Sequence, residues 1–206
     1  MFYDRVDAGK KLAGVLNKFK DEKPVILAIP RGGVVVAKEV AKHLKAPLDL
    51  LILRKIGAPF NPELALGSVA SKDQMVLNES VIDTLNVDKQ YLDDEISRQL
   101  EEIKRRKKRY LQTRTPVKLE GRLVIIVDDG IATGSTALSA VKAVRQANPK
   151  KIILAVPVAP TTTINKIANV ADEVVVLEAP SEFYAVGQFY KVFDQTTDEE
   201  VIKLLK

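Results

Sequence analysis

Val124-Ile125-Ile126-Val127-Asp128-Asp129-Gly130-Ile131-Ala132-Thr133-Gly134-Ser135-Thr136 is the stretch on which the fold turns. Four apolar residues suit a strand buried on both faces, and they end in two adjacent carboxylates. A loop of small and hydroxyl residues follows. The apolar spacing then changes to that of a helix, with Leu138, Val141 and Val144 on one face of residues 135–147. The loop from Ala132 through Thr133, Gly134 and Ser135 to Thr136 therefore sets consecutive unsatisfied amides at a helix N-terminus, where the dipole favours an anion. Gly134 lets the backbone approach a phosphate, and the three hydroxyls add donors. The dipole contributes only about 0.3–1 kcal/mol, so anion binding here rests on several converging hydrogen bonds.

Asp128 and Asp129 would be badly placed against a bare phosphate. They fit a ligand that also carries hydroxyls or a hard metal such as magnesium. Ribose O2 and O3 are such hydroxyls, so the spacing suits a ligand with a phosphate at one end and a diol nearby. An ordinary strand end followed by a capped helix, with solvated aspartates, explains any one of these pieces but not their joint occurrence in one run.

Outward from this segment, strands and helices alternate. Residues 25–29 read as a buried strand and 34–45 as a helix. Residues 48–53 read as a second buried strand, with Pro47 at its start. Residues 57–62, rich in Gly, Pro and Asn, read as a loop. Residues 64–70 and 75–78 read as two strands joined around Ser71-Lys72-Asp73. Residues 88–114 read as one long helix with a narrow apolar stripe of Leu92, Ile96, Leu100 and Ile103, facing either the domain or a partner subunit. Strands at 152–156 and 174–177 flank a short helix near 162–168. Thr197-Asp198-Glu199-Glu200 has capping-box spacing ahead of a last helix. The pattern predicts one domain over residues 1–206: a doubly wound α/β fold with a mainly parallel sheet, a hairpin region and a long inserted helix. Its ligand would lie beyond the strand ends.

The decisive segment resembles the phosphoribosyl-pyrophosphate signature of type I phosphoribosyltransferases: an apolar strand, an acidic pair and a Thr-Gly-x-Thr-type loop, here Thr133-Gly134-Ser135-Thr136. Gly130 departs from it, standing where the family usually has an aliphatic residue. A Walker A loop is excluded because no lysine follows the glycine, and a Rossmann fingerprint because its three glycines are missing. The resemblance covers residues 25–177. It implies a transferase that binds 5-phosphoribosyl-1-pyrophosphate with magnesium, attaches a nitrogen acceptor to ribose C1 and releases pyrophosphate.

The same resemblance extends to Pro30-Arg31-Gly32-Gly33, after the first strand, as the pyrophosphate loop. Arg31 and Gly32 would hold pyrophosphate oxygens, and any strained peptide would be Arg31–Gly32. Arg54 and Lys55, read as the end of the second strand, would bring charge to the pyrophosphate, with Lys55 at the hinge of a lid over residues 55–62. Flanking surface cations are the alternative for both. Phe183 or Tyr184, in the C-terminal hood that the resemblance implies, would stack on an acceptor base, or both serve as packing residues. Asp128 and Asp129 would be the catalytic pair, orienting the ribose and stabilising the developing positive charge. Magnesium would be held mainly through the ligand, with Asp128 and Asp129 as candidate direct contacts. A homodimer is the family's common state.

Composition narrows the alternatives. With no cysteine and a single histidine, His43, thiolate metal sites, disulfides and histidine-rich triads are excluded. The N-terminus lacks the pattern of a secretory signal, so a cytoplasmic location is expected. The net charge of +5 owes much to Lys104-Arg105-Arg106-Lys107-Lys108-Arg109. Cations at every position wrap around the helix, and Glu101 and Glu102 offer i,i+4 partners, which makes a nucleic-acid face the weaker reading. A regulatory protein that senses phosphoribosyl pyrophosphate and binds nucleic acid through this helix is the alternative function.

Overall fold

The computed structural model describes residues 1–111 and 115–206. In chain order, helix α1 (Arg5–Leu16) precedes strand β1 (Val25–Ala28), helix α2 (Gly32–Leu44) and strand β2 (Leu48–Leu50). Three strands follow: β3 (Arg54–Ala58), β4 (Asn61–Ser71) and β5 (Gln74–Leu77). Helices α3 (Glu79–Thr84) and α4 (Lys89–Leu111) lead to β6 (Leu123–Val127) and α5 (Ser135–Arg145). Strand β7 (Lys151–Val158), α6 (Thr161–Ala168), β8 (Glu173–Glu178) and α7 (Asp198–Leu205) complete the order.

The central sheet is five-stranded and parallel, in the order β2-β1-β6-β7-β8. Strands β1 and β6 are buried along their whole lengths, as their unbroken apolar runs require. Alternate residues divide between two cores. Ile26, Ile125 and Ile153 face Leu12, Val36 and Val40 on α1 and α2. Val124, Ile126 and Leu154 face Ala140, Val141 and Val144 on α5. From β1 the strand order runs outward in one direction to β2 and in the other through β6. Open sheets of this kind bind ligands in a crevice at such a switch, here between the loops after β1 and β6.

Two expectations are corrected around β2. The apolar run 48–53 is not one strand: β2 stops at Leu50, and Leu51 and Ile52 are buried without belonging to it. Arg54 and Lys55 therefore open β3, in a separate antiparallel sheet ordered β3-β4-β5. Residues 57–62 are not an irregular loop either. They form a hairpin that turns at Pro59 and Phe60, with register shifts on both sides of Gly57.

Among the described residues two α-helices, α1 and α3, have no counterpart in the sequence pattern. Helix α1 is capped by Asp4, whose Oδ1 accepts from the Asp7 amide at 2.8 Å. Helix α3 is a short turn before α4. The apolar stripe of α4 packs on its own chain: Ile103 is buried and Leu92, Ile96 and Leu100 lie against the larger core. Residues 112–114 of the expected helix lie outside the described residues. The capping box at Thr197 is present as the spacing predicts. Among the described residues no helix is long and apolar enough to cross a membrane.

Candidate active site

Pairing of β1 with β6 brings the two loops side by side. An added Cβ on Gly32 would stand 1.9 Å from Asp129 Oδ2, and one on Gly33 2.8 Å from Asp128 Oδ1. Any side chain at position 32 would therefore have to push Asp129 aside. Arg31 is the N-cap of α2 and keeps its side chain partly exposed, with Nη1 3.8 Å from Asp198 Oδ1 at the start of α7. Asp198 is also bonded by Tyr110 at 2.6 Å and paired with Arg109 at 2.8 Å. The cis peptide in this loop joins Pro30 to Arg31, one bond earlier than the resemblance implied.

The acidic pair is asymmetric. Asp128 Oδ1 accepts from the Asp129 amide at 2.8 Å. Asp128 as a whole is half-buried. Desolvation, followed by the neighbouring Asp129 charge, pushes its carboxyl well above the usual range. Asp129 instead receives a cation: Arg5 Nε donates to Oδ2 at 2.7 Å. Behind the pair, the buried Tyr190 hydroxyl donates to the Asp129 carbonyl at 2.5 Å. Burial and then the Asp129 charge raise the Tyr190 hydroxyl far above its ordinary value.

The amide loop is built as the sequence suggests. Gly134 is the N-cap of α5 with φ +84, a left-handed conformation that favours glycine. Ala132, Thr133, Gly134, Ser135 and Thr136 thus turn from β6 into the helix. Thr133 and Ser135 hydroxyls lie 3.5 Å apart. From α6, Thr163 donates its hydroxyl to the Ala132 carbonyl at 2.7 Å and so props the loop from behind.

The departure at Gly130 has a local cause. A Cβ there would stand 2.4 Å from Val186 Cγ1, and φ is +156. Val186, in the 3-10 turn Val186–Phe189, fills the space that a side chain at position 130 would take. The hood therefore packs directly beside the acidic pair. Within it, Phe183 packs on Phe189 at 5.2 Å between ring centroids, whereas Tyr184 is 87% exposed.

Arg54 and Lys55 lie elsewhere. They line a cavity of about 540 Å³ between the hairpin and α4, together with Glu95, Arg98, Gln99 and Glu102. Arg54 Nε donates to Gln99 Oε1 at 2.8 Å, and the buried Glu95 accepts from Gln99 Nε2 at 2.8 Å. The basic run is also engaged: Arg105 and Arg106 pair with Glu102, and Arg109 with Asp198 and Glu199.

Sequence reasoning missed Arg5, Tyr190 and Thr163. Arg5 belongs to an unforeseen helix and lies 124 residues from Asp129. No local periodicity reports a contact of that span.

The acidic pair and the amide turn thus follow one strand, β6, with the Gly32-Gly33 loop beside them. A crystal structure of TT1426 from Thermus thermophilus superposes with a TM-score of 0.88 at 42% identity, covering 100% of this chain and 98% of that one. Proteins in two strains of Mycobacterium tuberculosis assigned to the phosphoribosyl transferases are each 46% identical over 205 residues. The match covers 100% of this chain and 46% of theirs, so the chain spans about half the length of these curated relatives. The pattern of the phosphoribosyl transferase domain matches residues 4–192, and the chain belongs to that family.

Proposed function

We propose that this chain binds 5-phosphoribosyl-1-pyrophosphate with magnesium in the strand-end crevice and transfers the phosphoribosyl group to a nitrogen acceptor, a nucleobase being the class favoured. The observation that carries this reading is the contact of Gly32 and Gly33 with the acidic pair, one loop away from the amide turn. In this reading Ala132 to Thr136 hold the 5-phosphate, while Arg31 and the amides of Gly32 and Gly33 hold the pyrophosphate. Asp128 and Asp129 receive the ribose diol and stabilise the positive charge that develops at C1.

The bond from C1 to the pyrophosphate oxygen breaks, and its electron pair leaves with the pyrophosphate. The lone pair of the acceptor nitrogen forms the new bond to C1. The proton that this nitrogen releases goes to a carboxylate of the acidic pair or to the departing pyrophosphate. No covalent protein nucleophile is needed. Exposed Tyr184 is the hood residue available to stack on an acceptor ring, while Phe183 is taken up by its packing on Phe189.

Among the described residues no cluster of three or more His, Cys, Asp or Glu forms a metal cage. Two adjacent carboxylates do fit a hard cation that draws most of its oxygen ligands from a pyrophosphate and a diol. When bound, magnesium would neutralise charge on the leaving group. The engaged state of Arg105, Arg106 and Arg109 weighs against the nucleic-acid alternative.

Calorimetry is expected to show binding of phosphoribosyl pyrophosphate when magnesium is present, and absence of binding would sink the reading. Lys55 enters the chemistry through closure of the β3–β4 hairpin over the crevice. Phe60, fully exposed at the hairpin turn, is then expected to be a chymotrypsin site in the free chain that the ligand and magnesium protect. Equal cleavage with and without ligand would remove Lys55 from the mechanism.

A further inference from the structure

Arg5 is the first residue of α1, the end of a helix where the dipole disfavours a cation. Nothing in α1 calls for a guanidinium there, yet the side chain is drawn inward and only 12% exposed. Three contacts hold it. Nε donates to Asp129 Oδ2 at 2.7 Å, one terminal nitrogen donates to the Asp194 carbonyl at 2.7 Å, and the Phe193 ring lies 3.8 Å from the guanidinium carbon. Phe193 is stacked in turn on Tyr190, whose hydroxyl bonds the Asp129 carbonyl. Arg5 Nε also lies 2.8 Å from where a Gly32 Cβ would stand, so the guanidinium fills the gap between the pyrophosphate loop and the acidic pair.

We infer that Arg5 is a positioning residue for the reaction: by holding Oδ2 of Asp129 it sets the acidic pair in the orientation that receives the ribose diol. The inference rests on the reading of the crevice as a ribose-phosphate site. Two neighbouring carboxylates repel and would otherwise turn apart. A fixed cation on one of them removes that freedom before the ligand arrives, so less order is lost on binding. Lysine cannot reproduce the arrangement. It supplies a point charge without the planar fork that spans Asp129 and Asp194 and without the flat face laid on Phe193.

The measurement is sugar selectivity. Ribose 5-phosphate and 2,3-dideoxyribose 5-phosphate are titrated by calorimetry against the unsubstituted chain, Arg5→Met and Arg5→Lys, with thermal melts alongside. The unsubstituted chain is expected to favour the ribose form by about tenfold or more, the value of hydrogen bonds to a charged group. Arg5→Met should lose most of that preference while still binding the dideoxy form, and Arg5→Lys should recover part of it. A merely structural role would weaken both sugars alike and leave their ratio intact, which overturns the inference. An unchanged ratio in Arg5→Met overturns it equally, and Arg5→Lys, which keeps the charge, reads the ratio if Arg5→Met does not fold. Failure of the unsubstituted chain to bind either sugar phosphate would refute the crevice reading itself, and this inference with it.

Discussion

At the ends of β1 and β6, Arg5 meets Asp129 at 2.7 Å with both side chains largely withdrawn from water. Along α4, Arg105 and Arg106 meet Glu102 at 2.7 and 2.8 Å with the arginine side chains 62% and 38% exposed. The distances are alike and the physics is not. In water the pair on α4 is screened and its long side chains lose entropy on being held, so it contributes little to stability. In the crevice desolvation opposes charge, and the pair is held by stacking and by a carbonyl as well as by attraction. Short ion pairs on a helix surface thus say little about function, whereas one drawn inward against the local dipole points to a site.

The largest effect that sharpens this contrast is expected at the acidic pair. Asp128→Asn combined with Asp129→Asn should lower affinity for phosphoribosyl pyrophosphate by roughly two orders of magnitude, about 3 kcal/mol for two charge-assisted interactions, while unfolding stays cooperative. Calorimetry and thermal melts check both halves, and undiminished affinity would return the pair to ordinary surface. Asp128→Asn alone has a signed consequence for stability. Because the native carboxyl is raised, Asp128 contributes fully below its unfolded value of about 3.9, and that contribution is lost as pH rises through the native value. At neutral pH the variant should therefore melt higher than the unsubstituted chain, with the difference shrinking as pH falls. A gain that does not depend on pH would deny the buried charge.

The smallest effect is expected on α4. Hydrogen bonds from Arg105 and then Arg106 pull the Glu102 carboxyl down to about 2. A lowered carboxyl stabilises above its unfolded value, near 4.3, and that stabilisation is lost as pH falls through about 2. Exposure discounts it heavily, so Glu102→Gln should shift the melting temperature at neutral pH by at most about 1–2 °C, and by less in high salt. A larger, salt-resistant loss would erase the distinction between the two ion pairs.

How much of this was legible in the sequence depends on range. The buried strand β6, the amide loop and the capping box at Thr197 were readable because each is written in neighbouring residues. The run 48–53 misled because an apolar segment reads the same whether it pairs in a sheet or packs as a buried connection. The β3–β4 hairpin was hidden by charge at its start and by the register shifts around Gly57, which break the two-residue alternation. Gly32 lies against Asp129, whereas the Arg31 side chain lies 3.8 Å from Asp198 and Arg54 turns to Gln99, a partner 45 residues away. Gly130, a departure from the family pattern when read alone, is matched by Val186 from the hood.

The Arg5 anchorage also bears on the order in which the molecule assembles. Its hydrogen bonds to Asp129 and Asp194 bridge 124 and 189 residues of chain. Closing such long loops costs entropy that local strand–helix units do not incur, so those units form first and Arg5 meets Asp129 and Asp194 late. The crevice is thus complete only when the chain has nearly finished folding. A nascent or partly refolded chain could carry its strand, its amide turn and both carboxylates and still lack the guanidinium that orients them.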